Sequence, residues 1–201
     1  MDRRHILLSA LALPLLSVLP ASAQSVDASA IDAYLRGLRT AEGTFRQVNP
    51  NRSTQTGRFY LSKPGRIRFD YDRPEGAMVI ADGSFVGVFD PKSNRNPTRY
   101  PLGQTPLRML LDPNISLAEP GLVLGATRDA DGTNITIVDP KSPAEGRLVL
   151  TFTEAPIALK SWDIISRGGQ RTRVDVTELT QNVSLDSSLF SIQREAMRYR
   201  N

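Results

Sequence analysis

The chain has no cysteine, and its one histidine, His5, lies in the first few residues. A protein without either side chain in its folded part has no Ser-His-Asp triad, cysteine nucleophile, imidazole- or thiolate-ligated zinc, or disulfide. Charge of one sign is also scarce: 25 basic against 21 acidic residues give a net +4 over 201 residues. The arginines Arg58, Arg66, Arg68, Arg73, Arg95 and Arg99 are scattered, without the clustering of a nucleic-acid footprint, and read as a solvated face. Long apolar runs are missing after the first, so no second segment is a candidate membrane span. What survives is chemistry by carboxylate, Lys, Ser or Tyr, or no chemistry at all.

The first 23 residues read as an export signal. Asp2-Arg3-Arg4-His5 is a positive n-region, Ile6 to Leu19 an apolar run, and Ala21-Ser22-Ala23 a cleavage site, so the mature chain is expected to begin at Gln24. The run is short of the ~20 residues needed to span a bilayer and is interrupted by Pro14 and Pro20. Arg3-Arg4 leaves both the general and the twin-arginine route open. No Cys follows the run, so the protein itself is not lipidated. The expectation is a soluble periplasmic protein of one domain, residues 24–201, with 178 residues and net charge +3 once Asp2, Arg3 and Arg4 are removed.

In the mature chain one helix precedes a run of strands. Asp27 is a plausible N-cap for a helix to Arg39, with Ala30, Ile31, Tyr34, Leu35 and Leu38 on one face. After Gly43 the period becomes two. Gly57 to Leu61 and Arg66 to Asp72 alternate around the turn Lys63-Pro64-Gly65, which directs Ile67, Phe69 and Tyr71 one way and Arg66, Arg68, Asp70 and Asp72 the other. Ala77–Ala81 and Phe85–Phe89 flank Asp82-Gly83, a hairpin signal. Strand-like runs follow at Leu122–Arg128, Asn134–Val138, Arg147–Thr153, Ala158–Ser166 and Thr172–Leu179. Strands joined by tight turns predict a meandering antiparallel sheet. Thr105 to Pro113 reads as a helix of about two turns, with Thr105 as N-cap and Pro106 at its first position. Pro91–Pro101 and Asp112–Pro120 read as loops.

Among carboxylates, Asp70 and Asp72 share a face about 7 Å apart by strand geometry, a spacing glycosidases use. Their alternation with arginines marks a salt-bridged surface instead. Asp129-Ala130-Asp131-Gly132 lacks the spacing of a calcium loop. The apolar set Phe59, Leu61, Ile67, Phe69, Tyr71, Met78, Ile80, Phe85, Val86, Val88 and Phe89 is more informative, because only two short helices are foreseen to cover about ten strands. Such a sheet must curl into a barrel or present a concave apolar surface under a helical lid, a site for hydrophobic ligands.

The ordered motifs resemble a known family. Gly43-Thr44-Phe45-Arg46-Gln47, Gly57-Arg58-Phe59-Tyr60-Leu61 and Lys63-Pro64-Gly65-Arg66-Ile67-Arg68-Phe69 are followed by Asp82-Gly83, Phe89-Asp90-Pro91, Thr105-Pro106-Leu107 and Leu110-Leu111. Leu150-Thr151-Phe152, Leu159-Lys160-Ser161-Trp162, Gly169-Gln170-Arg171-Thr172, Asn182 and Phe190 complete the set. This order resembles the periplasmic outer-membrane lipoprotein carriers, the LolA family, over nearly the whole mature chain.

The resemblance implies a mainly β fold with a few helices: an incomplete antiparallel β-barrel closed by a helical lid, with no catalysis and no cofactor. It implies a cavity for lipoprotein acyl chains lined by Ile67, Phe69 and Tyr71, with Phe59, Leu61, Val86 and Val88 beside them. Leu107, Leu110 and Leu111 match the lid helix, and Ile31, Leu35 and Leu38 the first helix. Implied partners are acylated lipoproteins as cargo, an ATP-driven releasing complex in the inner membrane and, in some bacteria, a lipid-anchored outer-membrane receptor of the same fold, with the carrier itself a monomer. The family commonly has Arg before the turn Pro, where it latches the lid; Lys63 stands there, and the latch is expected at Lys63 or at Arg66. Gly87 replaces a usual aromatic and is expected to open space or to shift the cavity wall. On this reading Ile67→Glu leaves the fold largely intact and abolishes cargo binding. Two alternatives stay open: a carboxylate-based hydrolase using Asp70 or Asp72, and a lipid- or lipoprotein-sensing module of the same fold.

Overall fold

The computed structural model describes residues 27–92 and 96–200, so the segment expected to be an export signal and Arg95 lie outside the described residues. The first helix, α1 (Ala28–Gly37), is capped by Asp27, whose carboxylate accepts from the Ala30 N–H at 3.0 Å. That bond, with the Ser29 hydroxyl, holds the Asp27 carboxyl below its ordinary range. Its apolar face buries Ile31 and Leu35.

Two meanders follow. The first comprises β1 (Thr40–Val48), β2 (Thr54–Ser62), β3 (Arg66–Tyr71), β4 (Met78–Asp82), β5 (Phe85–Phe89) and β6 (Thr98–Pro101). The second comprises β7 (Val123–Asp129), β8 (Gly132–Val138), β9 (Gly146–Phe152), β10 (Leu159–Ser166) and β11 (Arg171–Gln181). Antiparallel pairing of β1 with β11 joins them into one open sheet in the order β6-β5-β4-β3-β2-β1-β11-β10-β9-β8-β7. Between the meanders lies α2 (Leu107–Leu110), and a third helix, α3 (Ile192–Arg200), follows β11.

The sheet is strongly curled. The Phe59 ring on β2 lies 6.1 Å from Trp162 on β10, and Phe69 on β3 lies 6.2 Å from it, although three and four strand spacings separate these strands. A flat sheet with strands ~4.8 Å apart would hold the same rings about 14–19 Å apart. Glycines permit the curvature. Gly57 and Gly43 sit opposite Phe45 and Phe59 in the β1–β2 register, and a Cβ on either would fall 2.0 Å from a carbonyl of the adjacent strand, Asp70 and Glu178 respectively. The aromatic rings occupy the space the missing side chains leave. A register shift between Thr44 and Phe45 adds a bulge at the same bend.

The concave face and the helices over it form one buried apolar cluster, which holds residues from α1, α2 and β1 to β5 as well as β8 to β11. The mainly β architecture, the open antiparallel barrel and the helical cover are as expected. Four details differ. Pro91–Pro101 is not all loop, because Thr98–Pro101 pairs with β5 as an exposed edge strand, where a terminal Pro is tolerated. The lid helix is a single turn: Thr105 does not cap it but donates its hydroxyl to the Leu102 carbonyl, closing a 3₁₀ turn at Leu102–Gln104.

The third difference is α3. The Ser191 Oγ accepts from the Arg194 N–H at 3.1 Å, and the helix packs on the face of β4–β5 opposite the main cluster. There Ile192 and Ala196 bury Ile80 and Phe89 in a second small core. The apolar residues of β4 and β5 therefore do not form one surface. Val86 joins the concave cluster, while Ile80 and Phe89 belong to the convex one.

The fourth concerns the arginines. Arg68 is not solvated. Its side chain is 11% exposed, pairs with Asp70 at 2.8 Å and Glu195 at 3.3 Å, and donates to the Leu189 carbonyl at 3.0 Å. It is the polar peg that holds the C-terminal segment to the sheet.

Candidate functional site

The concave face is built by strand alternation. On β3, Ile67 and Phe69 are buried and Tyr71 half-buried, and on β2 Phe59 and Leu61 point the same way. Phe45 stands edge-on to both Phe69 (5.2 Å) and Tyr71 (5.4 Å). The Tyr71 hydroxyl donates to Gln47 Oε1 at 2.9 Å, and burial pushes its pKa up to about 12, so it stays a neutral donor.

The expected lining residues Phe59, Leu61, Ile67, Phe69 and Val86 all belong to the buried cluster, with Tyr71 packed against it. Tyr71 and Val88 line a cavity of about 400 Å³ with Gln47, Gln55, Val79 and Lys92, at the end of the sheet where β1–β2 and β3–β4 turn. The half of the face supplied by the second meander was missed: Ile135, Ile137, Leu148, Leu150, Phe152, Trp162 and Val174 are all buried there. The alternation within β8 and β9 was a usable signal, but nothing local says that these strands face the same interior as β2 and β3.

The cover lies directly on this surface. Ile31, Leu35 and Leu38 of the first helical segment, and Leu107, Leu110 and Leu111 of the second, are in the same cluster as the lining residues. Met109, Ile115 and Leu122 complete it. Ile67 is 0% exposed beneath this cover. A charge placed there is buried in apolar surroundings, so the expectation that Ile67→Glu spares the fold is corrected: the closed form must be destabilised.

Four polar ties hold the cover together and to the sheet. Lys63 is 7% exposed and its Nζ donates to the Leu35 carbonyl at 2.9 Å, near the C-terminus of α1, where the helix dipole favours a cation. Burial pulls the Lys63 pKa down to about 8; Asp112 nearby opposes the shift and Arg39 adds to it. In the same turn, the Gly65 N–H donates to the Leu111 carbonyl at 3.0 Å. The buried Asp32 carboxylate accepts from the Leu117 N–H at 2.7 Å and pairs with Arg36. Arg108 pairs with Asp139, fixing α2 to the end of β8.

Arg66, the second latch candidate, points elsewhere. It donates to Ser62 Oγ and lies 5.5 Å over the Phe190 ring, on the side of the C-terminal segment. Gly87 also faces α3. A Cβ there would lie 3.1–3.2 Å from the Ile192 side chain, so the glycine makes room for the C-terminal helix and not for a ligand. Asp70 pairs with Arg68, which the C-terminal segment buries, and Asp72 accepts from the Thr56 hydroxyl. Asp129 accepts from the Asp131 N–H and from Asn134 Nδ2 in the β7–β8 turn.

An open antiparallel half-barrel with an apolar interior under a tied helical cover matches the expectation drawn from the ordered motifs. The family model described as outer membrane lipoprotein carrier protein LolA matches residues 36–193. The chain belongs to the LolA family. An outer-membrane lipoprotein carrier protein from Leptothrix cholodnii is 26% identical over 177 residues, 84% of this chain and 82% of that protein. One from Methylococcus capsulatus is 27% identical over 188 residues, 87% and 86% of the two chains. A LolA superfamily crystal structure from Nitrosomonas europaea aligns with 83% of this chain and 98% of its own, at 13% identity and a TM-score of 0.41. Family membership supports a lipoprotein carrier role, and the relatives are named as carriers, a role without catalysis. Among the described residues no helix is long and apolar enough to cross a membrane.

Proposed function

We propose that the chain is a periplasmic carrier that takes the acyl chains of lipoproteins onto its concave face and ferries them from the inner to the outer membrane. The observation that carries this reading is the composition of the interior: an apolar sheet surface covered by separate helical segments that polar ties hold at their edges. A cover of that kind can lift as a unit, because its strongest contacts are apolar and non-directional.

The magnitudes fit an exchange. Nine apolar side chains of the cover are buried, and exposing them would cost roughly 15–25 kcal/mol of transfer free energy. An acyl chain of ~16 carbons left in water costs about 12 kcal/mol. Two such chains therefore offset the displaced cover to within a few kcal/mol. Binding is consequently moderate, as unloading into a membrane requires. Lys63, not Arg66, serves as the latch in this scheme, and the cargo lies against Ile67, Phe69, Phe59, Leu61, Tyr71, Val86 and Val88. The partners are acylated lipoproteins, an inner-membrane ATP-driven releasing complex and an outer-membrane acceptor; the reaction needs no cofactor and no catalysis.

The test is release of an acylated lipoprotein from spheroplasts by the purified mature chain. Cargo is expected in the soluble fraction bound to the chain. Cargo that stays on the membrane while the native releasing complex is active refutes the proposal.

A further inference from the structure

Trp162 is the single tryptophan of the chain and stands on β10 in the middle of the concave face, 1% exposed. Its register neighbours are Val174 on β11 and Leu150 on β9, and its ring meets those of Phe59 and Phe69. All four are apolar. The indole Nε1 is buried and has no hydrogen-bond acceptor among the described residues.

The hydroxyls of Tyr71 and Tyr34, which pack against the same interior, are provided for. Tyr71 donates to Gln47, and the Tyr34 hydroxyl accepts from Gln181 Nε2. A buried donor without an acceptor destabilises the fold, and phenylalanine would supply the ring without that cost. A water in a protein interior needs two or more polar partners, and the register neighbours and ring contacts of Trp162 supply none.

We propose that the Trp162 indole N–H is the donor that fixes a carbonyl of the cargo's acyl linkage, ester or amide, when the cover lifts. This rests on the carrier reading and deepens it. A hydrocarbon tail has no acceptor; an acyl group has one, at its head. A neutral donor in apolar surroundings suits a neutral carbonyl, whereas an anionic phosphate would be left without a counter-charge. The bond sets how deep an acyl chain enters, because the carbonyl halts at β10 while the methylenes occupy the space vacated by the cover.

Two probes of equal chain length separate the bond from hydrophobic burial: dioctanoylglycerol, an ester, and dioctylglycerol, its ether counterpart. Each is used to displace an anilinonaphthalene dye from the mature chain and from Trp162→Phe. The wild type is expected to favour the ester by about 5- to 10-fold, the worth of one neutral hydrogen bond. Trp162→Phe should bind both probes equally, near the wild-type ether affinity, and melt no lower than the wild type. The single indole ¹H–¹⁵N resonance should move downfield with the ester and not with the ether. Equal affinity of the wild type for both probes, or a Trp162→Phe preference for the ester, overturns the anchor alone. So does an indole resonance already at a hydrogen-bonded position before ligand is added. Failure of both probes to displace the dye from the wild type removes the carrier reading, and the anchor with it.

Discussion

The Lys63 tie gives a quantitative prediction with an unusual sign. Its amine is buried, and its pKa falls from 10.5 to about 8. Below pH 8 the folded and unfolded chains both carry the proton, and the folded state bears a desolvation cost of roughly 3 kcal/mol. Between pH 8 and 10.5 the unfolded chain binds more protons than the folded one, so stability rises with pH through that window. Integrating from pH 7 to pH 9.5, the gain from this one side chain is about 2 kcal/mol, or about 1 M in urea midpoint for a protein of this size. The comparison is with Lys63→Met, which keeps the apolar stem and removes the titrating group. Urea unfolding of both proteins at pH 7, 8, 9 and 9.5 is followed by circular dichroism. The other titrating groups are common to both, so the difference between the two curves isolates Lys63. Wild type should gain about 2 kcal/mol on Lys63→Met across the series. Parallel curves would mean that the ammonium reaches water and that the bond to the Leu35 carbonyl is not a buried tie, which would refute the reasoning. For the proposed carrier the point is functional: at neutral pH Lys63 is a cation held out of water, so the first helix is fastened at a place already biased towards release.

Three further outcomes follow from the packing. Ile67→Glu loses a fully buried side chain and buries a carboxylate, so the closed form should lose about 4 kcal/mol or more. Hydrogen exchange should then quicken at Leu35 and Leu110 while β1 and β11 stay protected, and unchanged protection at both would contradict the placement of the cover. Arg68→Ala removes the peg that meets Glu195 and Leu189, and is expected to cost about 2 kcal/mol, because the buried Glu195 loses one of its two arginine partners and keeps Arg198; a midpoint within error of wild type argues that α3 is held otherwise. Gly87→Phe drives a ring into the place of the Ile192 side chain and should free α3 for limited proteolysis near its start, with β4 and β5 left intact; an unclipped helix would show that the contact yields without cost.

Much of the fold was legible because its signals are local. Alternation through Arg66–Tyr71 assigns each side chain to a face wherever the strand lies, and Asp82-Gly83 and Lys63-Pro64-Gly65 turn the chain by backbone chemistry alone. The Asp27 cap and the apolar stripe through Ile31, Leu35 and Leu38 likewise need no partner to be recognised. Less was legible of the site. Ile80 and Phe89 read as part of one apolar surface with Val86, and only the docking of Ile192 and Ala196 divides them between two. Arg68 alternates like a solvent-facing residue and is buried by a segment 121 positions away.

What the sequence determined by itself is therefore the antiparallel meander, the absence of thiol chemistry, the confinement of imidazole to His5, and the family resemblance. These are properties of composition, periodicity and order. Only the tertiary structure decided which apolar faces become an interior. Pairing of β1 with β11 brings two meanders into one curled sheet, so Trp162 comes to lie against Phe59 and Phe69. It also decided that Lys63 rather than Arg66 reaches the cover, since two residues three apart in one turn go to opposite faces. Burial, and with it the depressed Lys63 pKa and the unpartnered Trp162 N–H, is a property of what lies around a residue in space. Those surroundings come from parts of the chain that no local pattern connects.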